Sequence, residues 1–78
     1  MKDILKYIIS KIVEKENEVD VTEEENQGIV NLIVKVDPVD MGKVIGKEGK
    51  VIKAIRNVMR IPAIKQGKKI YITLAENS

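Results

Sequence analysis

Cysteine, histidine, phenylalanine and tryptophan are absent from this chain, which contains two tyrosines and two prolines. Without cysteine there is neither a disulfide nor a thiolate metal site to staple the fold, a composition that suits a reducing compartment. Without histidine the commonest metal ligand and the commonest general base are both missing. With Tyr7 and Tyr71 as the only aromatics, the chain is a poor match for an RRM or an OB-fold, which stack bases on aromatic rings. No apolar run approaches the ~18 residues of a membrane span, and charge stands within the first three positions at Lys2 and Asp3, so a soluble, cytoplasmic protein is expected. Its 78 residues leave room for one core. A domain this small buries only about 60% of its unfolded surface, so a partner or a dimer would help it.

Charge is present in quantity but divided. Residues 1–39 hold five lysines against nine acids, a net of −4, whereas residues 40–78 hold nine Lys/Arg against three acids, a net of +6. Such a division fits one face that meets a polyanion, or equally two solvated faces of opposite sign.

Residues 2–16 have the periodicity of an amphipathic helix, with Ile4, Leu5, Ile8, Ile9, Ile12 and Val13 on one side and Tyr7 pointing away. Residues 18–23 alternate as a half-buried strand, and residues 24–28 read as a hairpin loop. Residues 29–36 form the strongest strand pattern, with Val30, Leu32, Val34 and Val36 on one face and a mixed opposite face that suits a central position. Asp37 and Pro38 have the chemistry of an N-cap and a first helical residue, with Asp40 as a further carboxylate near the helix start. That helix is expected to stop at Gly46. A second runs over 49–60, with Val51, Ile52, Ile55, Val58 and Met59 on one arc and Lys50, Lys53, Arg56, Asn57 and Arg60 on the other. Pro62 is expected to end it, since the residue before proline is pushed out of the helical region. Residues 63–68 then read as a lysine-rich loop, 69–74 as a last strand with Ile70, Ile72 and Leu74 inward, and 75–78 as a polar tail. The fold class is α+β, in the order α-β-β-α-α-β. The three-stranded mixed sheet has its first two strands antiparallel, its third parallel to the second, and helices on one face.

The stretch Val44-Ile45-Gly46-Lys47-Glu48-Gly49-Lys50-Val51-Ile52 joins the two middle helices through two glycines three apart. Glycine there permits positive φ and close approach of another backbone, and the N–H groups opening the second helix suit a phosphate. Flanked by Val-Ile and by an apolar helix, in this order of elements, the motif resembles the GxxG signature of the KH domain in its type II, prokaryotic arrangement. The resemblance covers the whole chain, 1–78, as a single KH domain. At this length it is similar to the KhpA family of small bacterial RNA-binding proteins, also through the Ile52-Lys53-Ala54-Ile55-Arg56 run and Gly67-Lys68-Lys69.

The resemblance implies binding of short single-stranded RNA, as a regulator or RNA chaperone working with a KhpB-like partner or with a second copy of itself. Backbone groups of Gly46, Lys47, Glu48 and Gly49 would pack on the sugar-phosphate chain, with Lys47 and Lys50 adding charge and Glu48 opposing it. Val44, Ile45, Ile52 and the last strand would wall a groove for about four bases, whose edges would bond to the backbone of Ile70, Tyr71 and Ile72. Lys43, Lys53 and Arg56 would add salt-sensitive attraction. Read from periodicity alone, Val51 and Ile55 are core, while Val44 and Ile52 suit core and groove equally well.

Two other classes of function compete. The helix carrying Val58 and Met59, or an exposed edge strand, would serve a protein-interaction scaffold with vestigial RNA binding. An enzyme fits less well. Residues 42–48 differ from a phosphate-binding P-loop by one residue in the glycine spacing, and Glu48 stands in place of the Mg2+-binding hydroxyl. Ser10, Thr22, Thr73 and Ser78 are the only hydroxyl nucleophiles besides the tyrosines, with no base to activate them. No metal or cofactor is expected, and Glu23-Glu24-Glu25 reads as a solvated hairpin loop.

Overall fold

A computed structural model describes residues 1–75. Its elements are α1 (Lys2–Ser10), a 3-10 turn (Glu16–Glu18), β1 (Asp20–Asn26), β2 (Ile29–Lys35), α2 (Pro38–Ile45), a second 3-10 turn (Lys47–Gly49), α3 (Lys50–Lys65) and β3 (Lys69–Leu74). The sheet order is β1-β2-β3, with β1 antiparallel and β3 parallel to the central β2. This is the expected α-β-β-α-α-β order, with both expected strand directions. The tail beyond Ala75 lies outside the described residues.

Alternation in each strand decides which face is covered. Val21 pairs with Val34 and Leu32 with Ile72, and all four are buried. Between them, Thr22, Ile33 and Thr73 share a row on the opposite face. Leu5 and Ile9 of α1, Val44 of α2, and Ile52, Ile55 and Met59 of α3 close over the first face. Tyr7 is exposed, as its place on the α1 wheel requires.

Three boundaries differ by three residues or more from the sequence expectation. The hairpin loop has two residues, not five: Asn26 pairs with Ile29, and Gln27 (φ 53°) and Gly28 (φ 78°) make the turn. These two positive φ values match the twist of the flanking strands. The acidic run Glu23-Glu24-Glu25 therefore belongs to β1.

The α1 helix ends at Ser10, not at residue 16. Ile12 and Val13 still pack on the core, but the chain leaves the helix so that Glu14 N–H and Lys15 N–H can donate to Asp40 (3.1 and 3.0 Å). Asp40 is fully buried, and a buried carboxylate left without donors is far more costly than one shortened helix. Ile4, on the expected apolar arc, is exposed.

The α3 helix passes through Pro62 and ends at Lys65. Proline removes one backbone donor there, but continuing the helix buries Ala63 one turn after the buried Met59. The exit is well satisfied: Gly67 N–H donates to Ile64 C=O (3.0 Å) and Lys68 N–H to Ala63 C=O (2.9 Å), the paired bonds of a Schellman motif. The expected loop 63–68 shrinks to the three residues 66–68.

Candidate nucleic-acid interface

The joint between α2 and α3 is built from its capping residues inward. Asp37 accepts from Val39 N–H (3.0 Å) and Pro38 takes the first turn, which starts α2. Eight residues later Gly46 ends it with φ 76°, and its N–H donates to Gly42 C=O (2.8 Å). A Cβ at position 46 would overlap the Val51 side chain and stand 2.8 Å from the Val51 backbone nitrogen, so only glycine fits. The chain then takes two further left-handed residues, Glu48 (φ 58°, ψ 25°) and Gly49 (φ 75°, ψ 15°), before α3 begins.

No side chain caps the start of α3, and its first turn holds no acid. An uncapped helix start exposes N–H donors and partial positive charge. Lys47, Lys50 and Lys53 lie on the same joint, and among the described residues none of them forms an ion pair. The joint is thus a cationic surface at a helix start without a side-chain cap, with Glu48 as its single opposing charge; Gly49 N–H and Lys50 N–H are already engaged within it, donating to Gly46 C=O and Lys47 C=O.

Lys43 is placed differently. Its ammonium pairs with Glu14 (2.8 Å) and lies 3.9 Å from Asp40, so its charge is engaged within the protein. Val44 is wholly inside the core, and Ile52 nearly so, which favours packing for both; Ile45 is part-exposed beside Gly46. The structure brings Arg56, Ile70, Tyr71 and Ile72 together around a cavity of about 340 Å3 between α3 and β3, with Arg60 and Thr73 completing its lining. β3 is an edge strand, paired on one side only. Arg56 reaches across to it, its Nη2 donating to Ile72 C=O at 3.4 Å. The cavity runs beside the C-terminal part of α3, and residues 46–49 stand at the other end of that helix and do not line it.

In sequence Arg60 falls on the basic arc with no site assigned to it, and Asp40 reads as a further carboxylate near the start of α2. No sequence signal marks Asp40 as buried. The Glu14 N–H holds its pKa below the ordinary carboxylate value against the opposing effect of burial, aided by Lys15 N–H and by the charges of Lys43 and Lys15. Through these bonds Asp40 ties α2, which carries the glycine joint, to the segment after α1.

Residues 2–74 match the model of the KhpA/KhpB KH domain. The chain belongs to the KhpA/KhpB family of KH domains. It is 42% identical over 74 residues to the RNA-binding protein KhpA of Clostridium perfringens, covering 95% of this chain and 99% of that one. It is 34% identical over 76 residues to the RNA-binding protein KhpA of Aquifex aeolicus, covering 97% and 96%. Among solved structures this KH domain superposes on part of a variant of Aquifex aeolicus Era bound to GDP and AlF4− (TM-score 0.67, 16% identity, 94% of this chain). It likewise superposes on part of Era in complex with MgGDPNP and nucleotides 1506–1542 of 16S ribosomal RNA (TM-score 0.63, 19% identity, 94% of this chain). It spans 28% of each Era chain, and at these identities the likeness is one of fold.

Proposed function

We propose that this KH domain binds short single-stranded RNA, with the phosphate chain on the joint at residues 46–50 and the bases directed along α3 toward β3. The observation that carries this reading is the uncapped start of α3 behind a glycine joint, with Lys47, Lys50 and Lys53 around it unpaired among the described residues. The names of the KhpA relatives, which are RNA-binding proteins, support it. Arg56 adds charge along the groove, while Lys43 contributes little because Glu14 already holds it. The role is binding rather than catalysis, since the chain lacks the His and Cys that would activate a nucleophile. We place its work in the cytoplasm, as an RNA chaperone or regulator; among the described residues no helix is long and apolar enough to cross a membrane.

The test is the double variant Lys47→Asp, Glu48→Asp, titrated with a short mixed single-stranded RNA and followed by amide-shift mapping. Aspartate tolerates the left-handed conformation at position 48, so the fold is retained while the joint loses its net positive charge. RNA-induced shifts at 46–53 in the parent, lost in the variant, support the reading. A parent spectrum unmoved by RNA at low salt refutes it.

A second reading rests on α3. Val58, Ile61 and Ile64 are 50%, 59% and 72% exposed, three residues apart on one flank, whereas Met59 is buried and unavailable. This apolar stripe suits a second KH domain, either another copy or a KhpB-like partner. Sedimentation of Ile64→Lys against the parent decides it: a dimer or heteromer that persists unchanged in the variant excludes the stripe.

A further inference from the structure

Tyr71 lines two cavities that meet along β3. The first is the 340 Å3 space already described, and the second, about 250 Å3, lies farther toward the C-terminal end of α3 and is lined also by Arg60, Ile64, Lys68 and Lys69. Arg60, Ile70 and Tyr71 are common to both. Arg60 lies ten residues beyond Lys50, ~15 Å along the α3 axis from the glycine joint. Lys68 is held by Glu25 at 2.6 Å, whereas among the described residues Arg60 and Lys69 have no ion-pair partner. Tyr71 is 55% exposed and stands beside Asn31 of β2 in the strand register.

An exposed ring on an edge strand, two residues along the same face from Lys69 and beside hollows that Arg60 also lines, offers a stacking surface for a nucleobase with cations near its phosphates. The other tyrosine shows the contrast. Tyr7 stands on α1 with the ammonium of Lys11 5.2 Å from its ring centroid and borders a different, mixed-charge hollow with Asp3 and Glu16. We infer that Tyr71 forms a base-stacking subsite at the end of the groove far from the glycine joint, taking one nucleobase of the single strand while Arg60 and Lys69 meet the adjoining phosphates. A domain with almost no aromatic residues thus keeps one where a base leaving the groove would cross the sheet edge. The inference rests on the RNA-binding reading and adds a contact that the glycine joint does not supply.

The chain has no tryptophan, so Tyr71 is the sole fluorophore in a Tyr7→Phe background. That protein is titrated with an eight-nucleotide single-stranded RNA carrying a 5′ dye, reading polarisation of the dye and emission of the tyrosine together. The expected result is quenching of Tyr71 along the same isotherm as binding. In the same background Tyr71→Val, which keeps strand propensity, weakens binding about five-fold or more, while Tyr71→Phe, which keeps the ring, weakens it less than two-fold. Binding without quenching overturns the inference, whether or not the valine variant folds. Equal effects of the valine and phenylalanine variants, or no effect of either, overturn it as well. Failure of the parent to bind the RNA at all refutes the RNA-binding reading instead, and that result precedes any variant at position 71.

Discussion

Glu48 is the residue at which this protein works against itself. A non-glycine residue at φ 58° costs about 1–2 kcal/mol relative to ordinary backbone, and its carboxylate sits among cations that the proposed function needs. Glu48→Gly is expected to raise stability by about 0.5–1 kcal/mol, the relieved strain less the added freedom of the unfolded chain, and to tighten RNA binding at the same time. Urea denaturation and an RNA titration check the two halves separately. Gly46 sits beside it with the opposite balance, since any side chain there collides with Val51.

Asp40 shows what a residue can do without touching a ligand. Its folded-state pKa lies below the ordinary 3.8, so its contribution to stability is present above that pH and is lost as the pH falls through the lower, folded value. Asp40→Asn is therefore expected to lower the urea midpoint at neutral pH, with the gap to the parent closing as the pH is taken below 3.8. A gap independent of pH would show that the charge of Asp40 is not what holds the 14–15 segment. The pattern of Asp37, Pro38 and Asp40 reads in sequence as a helix start, and Asp37 does cap α2, with Lys15 3.7 Å from its other oxygen. For Asp40 the decisive partners are backbone groups 26 and 25 residues away, which no local pattern reports.

Among the elements, those governed by local chemistry were the legible ones. The alternation of β2 and β3, the Asp-Pro start of α2 and its stop at Gly46 all follow from residues within a turn or two. The ends of α1 and α3 were misread because tertiary burial outweighed local preference, through Asp40 in one case and Ala63 in the other. Pro62 makes that competition measurable. Pro62→Ala restores a backbone donor in the last turns of α3 and should raise stability by about 1 kcal/mol, well under the ~3 kcal/mol of a mid-helix proline because the site lies three residues from the helix end. Thermal unfolding checks it, and a loss of stability would mean that the half-buried proline ring packs better than the restored bond repays.

At the scale of the molecule, the division of charge seen in sequence becomes a division in space. β1, with Asp20, Glu23, Glu24 and Glu25, forms one edge of the sheet, and the cations of the glycine joint and α3 lie on the side of the other edge, β3. If Lys47, Lys50, Lys53 and one arginine meet phosphates, log affinity should fall with log salt at a slope of about −3, and Lys53→Gln should flatten that slope by about 0.7 while leaving the thermal midpoint in place. A slope near zero would mean that binding, where found, is not to the phosphate chain. The cavity at β3 was partly legible, since residues 70–72 and Arg56 were expected at the groove. Its separation from the glycine joint was not, because it follows from where β3 lies against α3, beside Arg56 and Arg60 rather than beside the first turn.

The two edges of the sheet differ in one more respect. An unpaired strand edge invites another strand, and a row of carboxylates such as that on β1 discourages it. β3 has no such guard: from Lys69 to Leu74 it carries a single charge, with Ile70, Tyr71 and Ile72 in its middle. The edge on which the proposed binding places bases is also open to a strand from a neighbouring molecule, except at Ile72 C=O, which Arg56 holds. In the RNA-bound state proposed above, the ligand itself covers that edge, so the RNA-free protein is the form prone to aggregate, and the nucleic acid protects the fold as well as being its cargo.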